Sequence, residues 1–233
     1  MMRRICVLVA VLMAASAAAN DTVSVDFEVT ADAAACTPTL SNNGVVDFGS
    51  RTTGSISTAT FSQLGTRDIT LSVTCESSTA IAITARDTRA ASVVSGEDEN
   101  GHTGARFQIN GGQYVSEPAR LFGLGLTAEK KAIGSYAVQI NAAGVTATDG
   151  DKSVLVDIAG SANQAGPWAK SALLPLPTSQ DYFYTFVQKG MLSPQPISTV
   201  SLPLQVSVTL ANKLNSSQVI KLDGEAVISI VYL

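Results

Sequence analysis

Apolar positions recur at a spacing of two along most of this chain, and the pattern is densest at its end. In KLDGEAVISIVYL (Lys221 to Leu233), Ala226, Ile228, Ile230 and Tyr232 fall on one face after the turn pair Asp223-Gly224, and Val227, Ser229, Val231 and Leu233 on the other. A period of two, rich in β-branched residues, predicts a strand. Apolar character on both faces predicts burial on both sides. The strand runs to the last residue without a polar tail, so its outer flank needs a partner, and no later segment supplies one.

The same reading applied from the N-terminal side predicts many short strands. Val23, Val25, Phe27 and Val29 alternate with Ser24, Asp26, Glu28 and Thr30, a half-buried strand. Cys36 is out of step with Val29, which predicts a bulge or bend within 31–35. Val45 to Phe48 follows the turn Asn42-Asn43-Gly44; Ile69, Leu71, Val73 and Cys75 share one face of the next strand, and 80–85 continues as another. Phe107–Ile109, Tyr136–Ile140 and Val154–Ile158 are middle strands between glycine turns. From about 163 to 196 five prolines break the register around the aromatic run YFYTF (Tyr182 to Phe186), which predicts an insertion with one short strand lying against the main body. Val200 to Leu210 then alternates as a long strand with an irregular or edge portion near Pro203. No stretch carries a sustained helical period. One all-β sandwich domain over 20–233, with the insertion ahead of the last two strands, is the expectation.

The first nineteen residues stand apart. Arg3 and Arg4, the apolar run from Ile5 to Met13 and Ala17-Ala18-Ala19 make the n-region, h-region and cleavage site of a signal peptide, and the run is too short to span a bilayer. The net charge of −4, with 15% charged residues, argues against nucleic acid or anionic lipid as a partner. Outside the signal peptide the cysteines are Cys36 and Cys75. In an oxidising compartment an even pair reads as a disulfide, with two free thiols as the alternative.

Catalytic chemistry finds little support. His102 is the sole histidine, in the polar loop EDENGHTG (Glu97 to Gly104), with no nucleophile pattern around it. Asp98, Glu99 and Asn100 lack the ligand spacing of a calcium loop and read as a solvated turn. No cofactor or metal is expected, and no enzyme. Trp168, Tyr182 and Tyr184 are candidate ligand-binding aromatics, a platform for sugar faces; the competing reading is a minor core anchoring the insertion.

An exported chain, FEVTADAAAC (Phe27 to Cys36), VVDFGS (Val45 to Ser50), DITLSVTC (Asp68 to Cys75) and DGEAVISIVYL (Asp223 to Leu233) together resemble the subunits of chaperone–usher fimbriae, in the branch of larger fimbrial-like proteins. The resemblance frames both ends of the chain and leaves about 97–196 unmatched. It implies an incomplete immunoglobulin-like (pilin) sandwich whose missing strand is borrowed by β-augmentation. A periplasmic chaperone would fill the groove first and hold the carboxylate of Leu233; after passage through an outer-membrane usher, a neighbouring fimbrial subunit would replace it. The implied role is a structural or tip subunit of an adhesive surface fimbria, with a host glycan as candidate ligand. The alternative is a self-contained secreted carbohydrate-binding β-sandwich. By the same resemblance Cys36 and Cys75 are the family disulfide, Gly224 and Tyr232 the glycine and penultimate tyrosine of the last strand, and Ile228 and Ile230 line the groove. Only three residues separate Ala19 from Val23. Val23, Val25 and Phe27 are therefore either the donor strand or the domain's own first strand.

Overall fold

The computed structural model describes residues 24–31, 36–49, 56–94, 97–102, 104–107, 112–214 and 220–233. The predicted signal peptide, Val23 and all but the first residue of the 31–35 stretch predicted to hold a bulge lie outside them.

Within the described residues the chain is all-β, as its period-two pattern predicts, with only single-turn 3₁₀ segments between strands. In chain order the strands are β1 (Ser24–Ala31), β2 (Cys36–Leu40), β3 (Val45–Asp47), β4 (Ser62–Thr79), β5 (Ile81–Asp87), β6 (Ala105–Phe107), β7 (Gln113–Val115), β8 (Phe122–Gly123), β9 (Gly134–Ile140), β10 (Thr146–Asp149), β11 (Lys152–Val154), β12 (Val156–Ser161), β13 (Phe183–Gln188), β14 (Ile197–Leu210) and β15 (Asp223–Tyr232). One sheet has the order β12-β13-β5-β15-β1-β3; the other runs β11-β10-β14-β4-β2, with β9 also on β14 and β8 on β9; β6 and β7 form a separate hairpin.

The two sheets close on one apolar core. Ile69, Leu71 and Val73 of β4 and Leu202, Leu204, Val206 and Val208 of β14 belong to the same buried cluster as Ile81 and Ile83 of β5 and Ala226, Ile228 and Ile230 of β15. The inward parity of β15 is the one its sequence predicts. Its other face is covered too: Val231 packs on a smaller cluster of Ala82, Ala159, Trp168 and Val187.

Two expectations change. The 163–196 segment does not merely lie against the body. Its strand β13 enters the first sheet between β12 and β5, because Tyr184 and Phe186 alternate inward into the main core while Val187 and Phe183 face the smaller cluster. The irregularity near Pro203 is a change of partner. On one flank β14 pairs with β10 through Ser201 and with β9 from Leu204 onward, so Pro203 falls between the two ladders.

The larger correction concerns the last strand. The expectation that no segment of the chain flanks it is wrong: β15 pairs antiparallel with β5 and in parallel with β1, in continuous register from Ser24↔Asp223 to Ala31↔Ile230. The chain fills the gap in its own sheet with its N-terminal strand. Beyond β1, β3 closes the sheet through Val45, Val46 and Asp47.

Candidate functional site

The filled groove is the first candidate site. Alternation in β1 buries Val25 completely and Phe27 almost so, while Asp26 and Glu28 stay exposed. Phe27 meets Tyr136 edge-on at 6.2 Å between ring centroids, and Tyr136 stacks on Phe122 at 5.0 Å. Room for β1 is made by Gly44, whose φ is +81° and where a Cβ would fall 2.3 Å from the Phe27 carbonyl oxygen. Any other residue would push β1 off the sheet.

Gly224 does the same for Tyr136. It is the register partner of Val25, and a Cβ there would lie 2.8 Å from Tyr136 Cε1 and 3.1 Å from Leu124 Cδ2. Both neighbours are fully buried, so neither can swing away. Gly224→Val is expected to destabilise the fold by about 1–3 kcal/mol through overpacking, read as a lower urea midpoint at unchanged m-value.

The carboxylates at this end are held tightly. Asp87 is buried, accepts the Gly123 and Arg89 backbone N–H groups at 2.8 Å each, and is pushed above the usual carboxylate range chiefly by burial. The Tyr136 hydroxyl is buried without a hydrogen-bond partner, and burial raises it well above an ordinary phenol. Arg89 bridges Asp223 at 3.1 Å and Glu225 at 3.0 Å; these partly exposed pairs fix the entry of β15 more than they stabilise it.

At the other end of β15 the Tyr232 hydroxyl accepts the Cys36 N–H at 3.0 Å. Cys36 is joined to Cys75 in a disulfide. The predicted pairing is thus present, and it anchors the chain where the N-terminal strand gives way to β2. Leu233 donates its N–H to Ala80 at 3.1 Å, and Gln164 Nε2 donates to the Tyr232 carbonyl at 2.9 Å. An open cavity of about 820 Å³ surrounds this terminus, lined by Trp168, Leu192, Pro194, Tyr232 and Leu233 among others. Met191, Leu192 and Leu233 are exposed apolar side chains. Gly224, Ile228, Ile230 and Tyr232 therefore lie along one strand with Leu233 just past its end, and Val25 and Phe27 lie beside its first half.

The predicted aromatic trio does not converge. Tyr182 and Tyr184 pack on the main core with their rings 5.2 Å apart, and Trp168 is buried in the cluster on the opposite face of the sheet. Tyr182 and Tyr184 instead line a cavity of about 330 Å³ with Tyr114, Glu117, Arg120 and Ser171. Sequence reading missed Tyr114 and Arg120. They come from a hairpin and a 3₁₀ turn distant from Tyr182, and no local pattern marks them.

His102 stacks on Tyr114 at 4.8 Å and 9°. Asp98 is not a solvated turn residue: it is buried, and its carboxylate accepts the backbone N–H groups of Phe61, Asn100 and His102. Those bonds, the one from His102 foremost, hold it below the usual carboxylate range. Its oxygens tie the 97–102 loop to the segment before β4. Among the described residues no three His, Cys, Asp or Glu side chains gather as a metal site.

Fold and site together define a class: a disulfide-anchored β-sandwich whose N-terminal strand completes its own sheet in parallel with the last strand. The comparisons agree with a whole-chain relationship. The family model described as "Protein of unknown function (DUF1120)" matches residues 27–137, from within β1 to within β9. "Uncharacterized protein YhcF" of Escherichia coli (strain K12) is 49% identical over 224 residues, 94% of each chain. "Protein GltF" of the same strain is 28% identical over 248 residues, covering 96% of this chain and 95% of its own. The chain belongs to the DUF1120 family.

Proposed function

We propose that this chain is a non-enzymatic, fimbrial-like surface subunit whose β1 strand is exchangeable, seated in its own groove until a neighbouring subunit's strand replaces it. Because the groove is filled from within, instability of an open sheet no longer argues for a partner. The reading is carried instead by what fills it. The occupant is the N-terminal strand, held to β15 by a parallel ladder and set ahead of the disulfide anchor at Cys36. A parallel pair is slightly weaker per residue than an antiparallel one, so an incoming antiparallel strand from another copy would gain stability. A periplasmic chaperone and an outer-membrane usher are the partners such an assembly needs, with the exposed carboxyl-terminal cavity around Leu233 as the chaperone's hold. Export through the periplasm to the cell surface goes with it.

The same ladder favours a second reading, a self-contained secreted β-domain that never exchanges its strand. A covalent lock separates the two. Asp26 and Glu225 are register partners, so Asp26→Cys with Glu225→Cys would tether β1 in place. Exchange predicts concentration-dependent oligomers of the unlocked chain by analytical ultracentrifugation after partial unfolding and return, and monomer alone from the locked chain. If locked and unlocked chains both stay monomeric, with and without the cognate chaperone, the self-contained reading stands and the assembly role falls.

A further inference from the structure

The cavity on the inner flank of β13 offers chemistry that the assembly role leaves unused. It is about 330 Å³, at the lower end of the roughly 300–1,000 Å³ typical of small-ligand sites. Its lining comes from three separated parts of the chain: Tyr114, Glu117 and Arg120; Ser171; and Tyr182 with Tyr184.

The rings are not free stacking platforms. Arg120 lies over the Tyr182 ring at 4.7 Å, and a Cβ at Gly160 would come within 2.5 Å of the same ring. Tyr114 carries His102 at 4.8 Å and Arg106 at 5.3 Å. What the cavity presents is therefore ring edges and polar groups. The Tyr184 hydroxyl is committed, donating to the Pro175 carbonyl at 2.8 Å.

Arg120, though it lies over the Tyr182 ring, keeps hydrogen-bond donors to spare. The residue is half-buried; its guanidinium makes one long contact to the Pro175 carbonyl at 3.5 Å and has no carboxylate within 4.0 Å among the described residues. A planar fork with most of its donors unspent matches a carboxylate. Tyrosine and serine hydroxyls around it can give or take a hydrogen bond, and the Glu117 carboxylate can take one from a hydroxyl.

We propose that this cavity binds an acidic saccharide unit, its carboxylate on Arg120 and its hydroxyls among Tyr114, Glu117, Ser171 and Tyr182. The site is complete within one chain and does not depend on strand exchange, so it and the assembly role can fail separately. Saturation-transfer difference NMR on the exported chain, with glucuronate, galacturonate and N-acetylneuraminate beside glucose and galactose, tests it. At least one acidic sugar should show transfer and the neutral sugars should not. Arg120→Gln should weaken that binding roughly ten- to hundredfold, the loss of a charged hydrogen-bond pair, and Tyr182→Phe by a smaller factor, both with an unchanged thermal midpoint. Neutral sugars binding as well as their uronates, undiminished binding by Arg120→Gln, or no transfer to any sugar would each overturn the proposal.

Discussion

Removing residues 20–31 is expected to abolish the folded monomer. Full burial of a valine or phenylalanine side chain stabilises a fold by about 1.5–3 kcal/mol, and β1 buries both Val25 and Phe27, with Val29 packed partly against the same core. That loss alone is a large share of the roughly 5–15 kcal/mol that holds a domain together. It comes with a second penalty. The N–H and C=O groups of β15 that pair with β1 would face water beside exposed Ile228 and Ala226, a template for aggregation. Size-exclusion chromatography of the shortened chain should show aggregate or oligomer, and a peptide spanning 20–31 added in trans should restore monomer-sized complex and cooperative melting. A shortened chain that elutes as a monomer with an unchanged midpoint would show β1 to be an accessory, and the exchange proposal would lose its basis.

The second large effect belongs to the disulfide. Cys36 and Cys75 are 39 positions apart, and closing a loop of that size restricts the unfolded chain by about 4 kcal/mol in the chain-entropy account. Cys36→Ala with Cys75→Ala should therefore lower the denaturant-derived stability by about that amount. Here the loss has a local consequence as well. Cys36 is the first residue of β2 and gives its N–H to Tyr232, so freeing it should loosen the C-terminal end of β15. Hydrogen exchange at residues 228–232 should rise more than global destabilisation predicts. Equal protection of these amides in the oxidised and double-alanine proteins, after correction for global stability, would contradict this coupling.

Much of the architecture was legible from alternation. The face of β15 that carries Ile228 and Ile230 inward, the long run that became β14 and the Cys36–Cys75 pairing follow from parity, β-branched content and an even cysteine count. The partner of β15 did not. Parity states which side chains are buried but says nothing about which strand lies alongside, and Ser24 meets Asp223 across almost the whole chain. Val25 and Phe27 accordingly fit either a donor or a first strand on sequence grounds. The aromatic trio failed for a related reason. Prolines between Trp168 and Tyr182 break the count, so their placement on opposite faces of one sheet cannot be read across the gap. Arg120 and Tyr114 are ordinary residues in a turn and a hairpin; only the tertiary fold brings them to Tyr182. Asp98 was obscured because a carboxylate that satisfies backbone donors looks in sequence like any acidic turn residue.

The tie between the Tyr232 hydroxyl and Cys36 also sets a length. With Cys36 pinned by both the disulfide and that hydroxyl, a departing arm would pivot there, and the stretch back to Ser24 is about a dozen Cα steps, roughly 40 Å when fully drawn out. Any second copy receiving it must bring the Asp223 end of its groove within that radius of the donor's Cys36, a ceiling on that one separation that a structure of the exchanged pair would test.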